Sequence, residues 1–226
     1  MEFFKLCYLK SLNKFQIDRL LQLAVDPEVD VTKKFEATTN TPLLMLCCYN
    51  NSESLLPVLK QLLNFQEVLA QLNLTNKYGF NAISFLCLYS SNKATIDCVR
   101  LLVNLGIDVN AKVKSSKGTS AIEFLCDRYE GGNLVDIARL MLYNKCDLDD
   151  ASRAVDFLKN RNLRRDADVL LKIIESLRQS SGKRVHSKVK PTESCIYLFI
   201  LLLILFFCLF CNRKKMKCCV FVGCPR

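Results

Sequence analysis

The sequence predicts an all-α protein with about three central helical repeats, a cap at each end, a linker and one transmembrane helix. The repeat is visible in three similar segments, which recur with a period of about 40 residues: Thr41–Cys47, Asn81–Cys87 and Ser120–Cys126. A fixed period of about 20–50 residues is typical of stacked repeat proteins, which mostly act as binding surfaces. The membrane helix is predicted by an uncharged apolar run at 195–211.

Each unit is predicted to contain a helix, a loop, a second helix and a turn. The second apolar stretches, at 55–63, 96–105 and 134–142, contain apolar residues at helical spacing. Gly106 is a good helix stop, because glycine readily takes the left-handed conformation that follows a helix end. Asp108 and Asn110 favour the turn that comes next.

The most specific motif in the chain is Gly106-Ile107-Asp108-Val109-Asn110-Ala111. It resembles the end of the ankyrin repeat, Gly-Ala-Asp-Val-Asn-Ala. The ankyrin unit also carries Gly-x-Thr-Pro-Leu-His-x-Ala at its first helix, which Thr41-Pro42-Leu43 matches. Gly79 and Gly118 take the glycine position in the next two units. The resemblance covers roughly residues 36–150 and implies an ankyrin-like helical solenoid.

Two features depart from that family. The ankyrin unit has about 33 residues, so each unit here has roughly six more. We place the additional residues between the two helices, around 50–54, 90–95 and 128–133. The histidine of the family motif is replaced by Leu44, Ser84 and Glu123. In the family that histidine supports the turn by hydrogen bonds, so we expect the turns to be held differently here.

The predicted domain order follows from these patterns. Residues 1–35 are interpreted as an N-terminal helical cap, 36–150 as the repeats and 151–178 as a C-terminal capping helix pair. Residues 179–194 are rich in serine and basic residues and have no apolar periodicity, which favours a disordered basic linker.

Charge and cysteine usage bound the function. The net charge is +10, but nine basic residues and one acid lie after residue 180, beside the apolar run. That position favours anionic lipid head groups over nucleic acid. The chain has 13 cysteines, and Cys47, Cys87 and Cys126 occupy one repeat position, which favours packing over disulfides. Free thiols predict a reducing compartment.

The run at 195–211 lacks charge, glycine and proline. As a helix it would span about 26 Å, the lower limit for a bilayer. We expect a single-pass tail anchor with a cytosolic N-terminal domain, in the endoplasmic reticulum or the mitochondrial outer membrane. Residues 212–226 form a short basic tail, in which Cys218 and Cys219 are lipidation candidates if it faces the cytosol.

Signals for catalysis are weak. The single histidine, His186, lies in the predicted linker, which excludes a hydrolase or metal site that needs a histidine in the domain. No phosphate-binding loop occurs, and Cys208 and Cys211 lie inside the apolar run. The basic run 161–165 lacks interleaved aromatics and is interpreted as a cap of the last helix at the solvated end of the array. We therefore expect no enzyme activity, cofactor, metal, nucleic acid or small-molecule substrate.

The remaining candidate sites are surfaces. In the ankyrin family protein ligands sit on the turn tips and the concave face, which here gives five partner-binding candidates: Lys77, Tyr78, Phe80, Lys114 and Lys117. Tyr78 and Phe80 are the candidate anchors, since aromatics dominate interfaces, although either ring could instead pack on its own repeat. Tyr49, Tyr89 and Tyr129, which recur at one repeat position, are interpreted mainly as closing the long loops.

Two functions remain open at this stage. The first is a membrane-tethered scaffold that binds a cytosolic protein partner through its ankyrin-like repeats. The alternative is an adaptor or competitor resembling viral ankyrin proteins, which direct partners to ubiquitin ligases.

Overall fold

The described part of the chain is all-helical, in agreement with the predicted all-α class. A computed structural model describes residues 2–36, 38–114 and 118–186, with side chains as far as Ser180. Apart from one isolated bridge between Lys112 and Ser120, its regular structure is helical. The helices are α1 Glu2–Cys7, α2 Lys14–Ala24, α3 Pro42–Tyr49, α4 Leu55–Leu62, α5 Gln66–Leu69, α6 Ala82–Tyr89, α7 Thr95–Asn104, α8 Ala121–Arg128, α9 Leu134–Tyr143, α10 Leu148–Asn160 and α11 Arg164–His186.

The helices pack as two adjoining rows. The inner row places α1, α3, α6, α8 and α10 side by side, and the outer row places α2, α4, α7 and α9 side by side. Each inner helix also packs against the outer helix that follows it, from α1–α2 to α8–α9. One continuous apolar core therefore runs between the rows, so each pair is covered by its neighbours.

The inner helices start at residues that can cap them. The Thr41 hydroxyl accepts the Leu44 N–H at 3.4 Å, and the Asn81 side chain accepts the Ser84 N–H at 3.0 Å. At α8 the Ser120 N–H donates to the Glu123 carboxylate at 2.7 Å. These bonds satisfy polar groups that a helix start leaves without partners. Pro42 occupies the first turn of α3, where its missing N–H is tolerated.

Among the described helices, three are followed by a residue with left-handed backbone. After α7, Gly106 has φ +87°, its N–H bonds to the Val103 carbonyl, and the Ile107 N–H bonds to the Leu102 carbonyl. This is the Schellman geometry. Lys145 after α9 and Asn162 after α10 repeat it at φ +66° and +61°.

The cysteines of the described region are all free, and most are buried. Cys47, Cys87 and Cys126 lie on the inner helices with at most 1% of their surface exposed. The packing interpretation of these three agrees with this placement.

Two units are distinguished by their internal contacts, Met1–Arg178 and Gln179–Arg226. Helix α11 continues to His186, so the first eight residues of the segment expected to be a disordered linker are helical. The helix can extend this far because it contains no proline: the next proline, Pro191, comes after its end. The single Gly182 costs a helix only about 1 kcal/mol relative to alanine. Residues 187–226, with the expected membrane segment and Cys218 and Cys219, lie outside the described residues. None of the described helices is long and apolar enough to span a bilayer.

Candidate protein interface

Three turns that precede α3, α6 and α8 have the same closure. A backbone hydrogen bond joins the two sides of each: Phe35 N–H to the Asn40 carbonyl, Asn76 N–H to the Phe80 carbonyl, and Val113 N–H to the Thr119 carbonyl, all at 2.9–3.0 Å. One residue near the end of each turn has positive φ, namely Thr39 (+59°), Gly79 (+89°) and Gly118 (+59°). Left-handed backbone is strained for a β-branched residue, so Thr39 stands out among the three.

Contacts between neighbouring turns make them one surface. The Lys77 N–H donates to the Thr39 hydroxyl at 2.6 Å. The Lys114 N–H donates to the Tyr78 carbonyl at 2.7 Å. We call this surface the tip ridge, and it comprises residues 33–36, 38–40, 76–80 and 112–114. A backbone N–H donates each of these bonds, one to a side-chain hydroxyl and one to a backbone carbonyl, so each tip is tied to the next.

A buried asparagine pair supports the ridge from below. The Asn76 side chain donates to the Asn40 side chain at 2.9 Å, and the two residues are only 4% and 2% exposed. The Asn76 side-chain oxygen also accepts the N–H groups of Tyr78 and Phe80, each at 3.0 Å. Asn76 therefore holds its own turn and joins it to the preceding one.

The residues at the position of the ankyrin-motif histidine, Leu44, Ser84 and Glu123, support the turns in different ways. Leu44 is buried in the core. Ser84 donates its hydroxyl to the Asn81 side chain at 2.9 Å. Glu123 accepts from Ser120 and also from the Arg153 guanidinium at 3.0 Å. The turns are thus held mainly by the asparagine pair and by the hydrogen bonds between tips that backbone N–H groups donate.

Three of the five predicted partner-binding residues lie exposed on the tip ridge. Tyr78 is 51% exposed, and Lys77 and Lys114 are also exposed. The Lys77 ammonium lies 5.0 Å from the centre of the Tyr78 ring, a cation–π contact that holds the two side chains together. Lys117 lies outside the described residues.

Phe80 lies in a different environment from that predicted for a surface anchor. Its ring stacks on Phe85 of α6 at 4.9 Å and on Phe124 of α8 at 5.5 Å between ring centres. The ring therefore joins two inner helices of neighbouring repeats. The faces of the ring are engaged in contacts within the molecule, which favours packing on the repeats over partner binding for Phe80.

The three loop tyrosines are not equivalent in the structure. Tyr49 and Tyr89 end α3 and α6, whereas Tyr129 is the residue that follows α8. Tyr129 is 2% exposed, donates its hydroxyl to Asn133 and covers Gly131, where a methyl group would meet the ring. Tyr129 closes its loop as predicted for the group, while Tyr89 is 52% exposed.

An apolar pocket of about 610 Å³ adjoins the first tip. Phe4 and Tyr8 of α1 line one side, and Val29 and Phe35 line the other. The Tyr8 ring contacts Phe35 at 5.6 Å and Tyr49 at 4.6 Å, so the pocket is continuous with the inner helices. The volume is in the range of ligand pockets in proteins.

Charge on the tip ridge is predominantly positive. The second and third tips carry Lys77, Lys112 and Lys114 and no acidic residue among their described positions. Lys112 is held by the buried Asp150 carboxylate at 3.0 Å, and Lys77 and Lys114, like Lys112, are exposed. At the first tip, three lysines and three acids surround the pocket, so the local charge there is balanced.

The described side chains include neither a metal-binding cluster nor an activated thiol. None of their groupings of histidine, cysteine, aspartate and glutamate is suited to hold a metal ion. Burial raises the pKa of the Cys98, Cys126 and Cys146 thiols to about 12, and that of the half-buried Cys48 to about 11. These thiols therefore stay protonated near neutral pH and are poor nucleophiles.

Two asparagines join consecutive repeats: Asn73, which was not predicted, and Asn110, which was predicted only to favour its own turn. The Asn73 side chain bonds to the Gly106 carbonyl and the Asp108 N–H, at 3.2 and 2.6 Å. The Asn110 side chain bonds to the Lys145 carbonyl and the Asp147 N–H, at 2.9 and 2.8 Å. The repeat pattern could have indicated these bonds, because Gly106 and Asp108, which Asn73 contacts, occupy the same repeat positions as Lys145 and Asp147, which Asn110 contacts.

No protein-family model matches this chain, and no curated protein matches it either.

Proposed function

We propose that this protein is a membrane-tethered scaffold that binds a cytosolic protein partner through an ankyrin-like array of helical repeats. Partner binding takes place at the tip ridge and the neighbouring inner helices, and involves no chemical conversion. The ankyrin resemblance of residues 36–150 and the stacked helix pairs support this assignment. Tyr78, Lys77 and Lys114 provide the contacts.

The observation that carries the proposal is the exposure of Tyr78 on a turn that is rigidly held. Its backbone is bonded to Asn76 and to Lys114, while half of its side chain faces solvent. An exposed aromatic ring on a preorganised backbone binds with little loss of conformational entropy. Aromatic rings of this kind are enriched among the residues that dominate protein interfaces.

Site-specific cross-linking tests the proposal. A photoreactive residue at position 78 of the full-length chain should cross-link to a defined protein in cells. The same photoreactive residue at position 143 is the control, because Tyr143 is also a surface tyrosine, 64% exposed. It should not cross-link to that protein, because Tyr143 lies at the end of the outer helix α9, away from the tip ridge. Equal products from both positions would contradict binding at the tip ridge.

A pair of matched variants provides a second readout. Tyr78→Ala with Lys114→Glu should remove the captured partner, and Tyr143→Ala with Lys172→Glu should retain it. Both variants change one exposed tyrosine and one exposed lysine. Persistence of the partner with the first variant would argue against the assigned surface.

The tether is tested separately. Deletion of residues 192–226 should move the protein from the membrane fraction to the soluble fraction, because it removes the apolar run at 195–211. A truncated chain that still sediments with membranes would overturn the tail-anchor part of the proposal without affecting partner binding.

A further inference from the structure

The pocket beside the first tip is suited to one bulky apolar side chain. Phe4, Tyr8, Val29 and Phe35 supply its apolar walls, and its volume of about 610 Å³ leaves ample room for such a side chain. Of the acids around it, Asp30 accepts the Thr32 N–H and hydroxyl at 2.8 and 2.5 Å. Three lysines and three acids border the pocket, so their charges balance. The apolar walls therefore decide what binds, and they favour an apolar side chain.

The two following tips differ from the first in charge. Among the described residues of these tips the charged side chains are all lysines, and Lys77 and Lys114 are exposed. The two tips are bonded to one another through the Tyr78 carbonyl. A binding segment that leaves the pocket along the ridge therefore passes from a neutral apolar site to a positive one.

The spacing sets the length of such a segment. The pocket lies between α1 and the first tip, which precedes α3, so two to three inner-helix intervals separate it from the third tip, which precedes α8. Packed helices lie about 10 Å apart, which gives a span of about 20–30 Å. An extended chain rises about 3.3 Å per residue, so about six to nine residues cover this distance.

We propose that the partner segment is an extended acidic peptide with one bulky apolar residue, which sits in the pocket while its carboxylates lie over Lys77 and Lys114. This inference rests on the proposed function, because it names the chemistry of the partner for the same surface. Charge complementarity sets the direction of the peptide, with its anchor at the first tip and its acidic part at the second and third.

A synthetic probe tests the chemistry directly. The probe is a fluorescent peptide of about ten residues, long enough for the span, with glutamates along its length and one phenylalanine near an end. Anisotropy with the full-length chain in a non-ionic detergent should show binding that weakens as salt is added. Replacing the phenylalanine with serine should weaken binding about tenfold, because the buried apolar area is lost. A peptide with lysines in place of the glutamates should not bind.

Matched charge variants identify the surface. Lys77→Glu with Lys114→Glu should weaken the acidic probe about tenfold, because the two weak ion pairs become repulsive contacts. Lys93→Glu with Lys172→Glu makes the same change in net charge at exposed residues away from the ridge. This control should bind within about twofold of the unmodified chain. Val29→Trp should take up part of the pocket, so that the phenylalanine peptide loses part of its advantage over the serine peptide.

Three results would overturn the inference. They are equal weakening by the two lysine pairs, equal binding of the phenylalanine and serine peptides to the unmodified chain, and binding that does not depend on salt. Failure of the acidic-peptide inference can be distinguished from failure of the proposed function. If position 78 cross-links to a partner that lacks an acidic segment, the tip ridge still binds protein, but the stated partner chemistry is wrong.

Discussion

Gly79 lies so close to the Lys112 carbonyl that a methyl group on Gly79 would come within 2.7 Å of that oxygen. Its φ of +89° is also unfavourable for any other residue. We expect Gly79→Ala to lower the free energy of unfolding by about 3 kcal/mol, combining left-handed strain with a backbone clash. Urea unfolding of the full-length chain, followed by circular dichroism, measures this.

Two other glycines separate the strain from the clash. Gly106 has a similar φ of +87° but open space around it, so Gly106→Ala should cost only about 1 kcal/mol. Gly132 also has open space and is not a positive-φ residue, so Gly132→Ala should change stability by less than about 0.5 kcal/mol. Equal losses at Gly79 and Gly106 would mean that the contact between tips is unimportant.

The asparagine pair below the ridge should be sensitive to truncation. Asn76→Ala leaves the buried Asn40 side chain and two partly buried backbone N–H groups without their partner. We expect a loss of about 3 kcal/mol, because unsatisfied buried polar groups are costly. Asn40→Ala should cost about 1 kcal/mol, and the exposed Asn64→Ala almost nothing. Thermal or urea unfolding distinguishes the three, and similar values would contradict the role of Asn76.

Lys145 offers a stabilising substitution. It has φ +66° at the end of α9, the position that Gly106 takes at the end of α7. Its side chain is exposed, and the contact with Asn110 uses its backbone carbonyl. Lys145→Gly should therefore raise the free energy of unfolding by about 1 kcal/mol. Lys145→Ala keeps the strained conformation and should give no gain, so a gain with alanine would point to charge instead.

The order of the helices could be predicted from the sequence because short local signals determine it. Thr41, Asn81 and Ser120 each precede an apolar helix, and capping residues define helix starts through contacts only three residues away. Gly106 ends its helix for an equally local reason. The short helix α5 had no such signal, and it was not predicted.

The surface residues were harder to predict, because the path of a loop decides which way its side chains point. Tyr78 and Phe80 are two residues apart, yet one faces solvent and the other stacks between neighbouring repeats. Tyr129 shows the effect of register. The interval from α6 to α8 is one residue shorter than the interval from α3 to α6, which moves Tyr129 from the helix end to the buried position that follows.

Alkaline pH should destabilise the fold through the buried thiols. Their pKa is raised from an ordinary 9.0 to about 12 at Cys98, Cys126 and Cys146 because burial disfavours the thiolate. Below pH 9 both folded and unfolded chains keep these protons, so stability is unaffected. Between about pH 9 and 12 only the unfolded chain releases them, so stability falls by about 1.4 kcal/mol per pH unit for each thiol.

A single-thiol variant isolates this effect from the titration of lysines. The slope of unfolding free energy against pH above 9 should be shallower in Cys98→Ala than in the unmodified chain, by the contribution of one thiol. Urea unfolding at several pH values gives both slopes. An unchanged slope would show that Cys98 does not contribute.

Arg161 should stabilise the end of helix α8. Its guanidinium donates to the Cys126 carbonyl at 2.9 Å and to the Tyr129 carbonyl at 2.8 Å, both of which lie at the helix C-terminus. We expect Arg161→Ala to cost about 2 kcal/mol in unfolding free energy, because two charge-assisted bonds to carbonyls are lost. Arg161→Lys should recover only part, since an ammonium cannot reproduce the planar fork. The exposed Arg164→Ala and Arg165→Ala should each change stability by less than about 0.5 kcal/mol, so equal losses at all three positions would indicate a general charge effect instead of a cap.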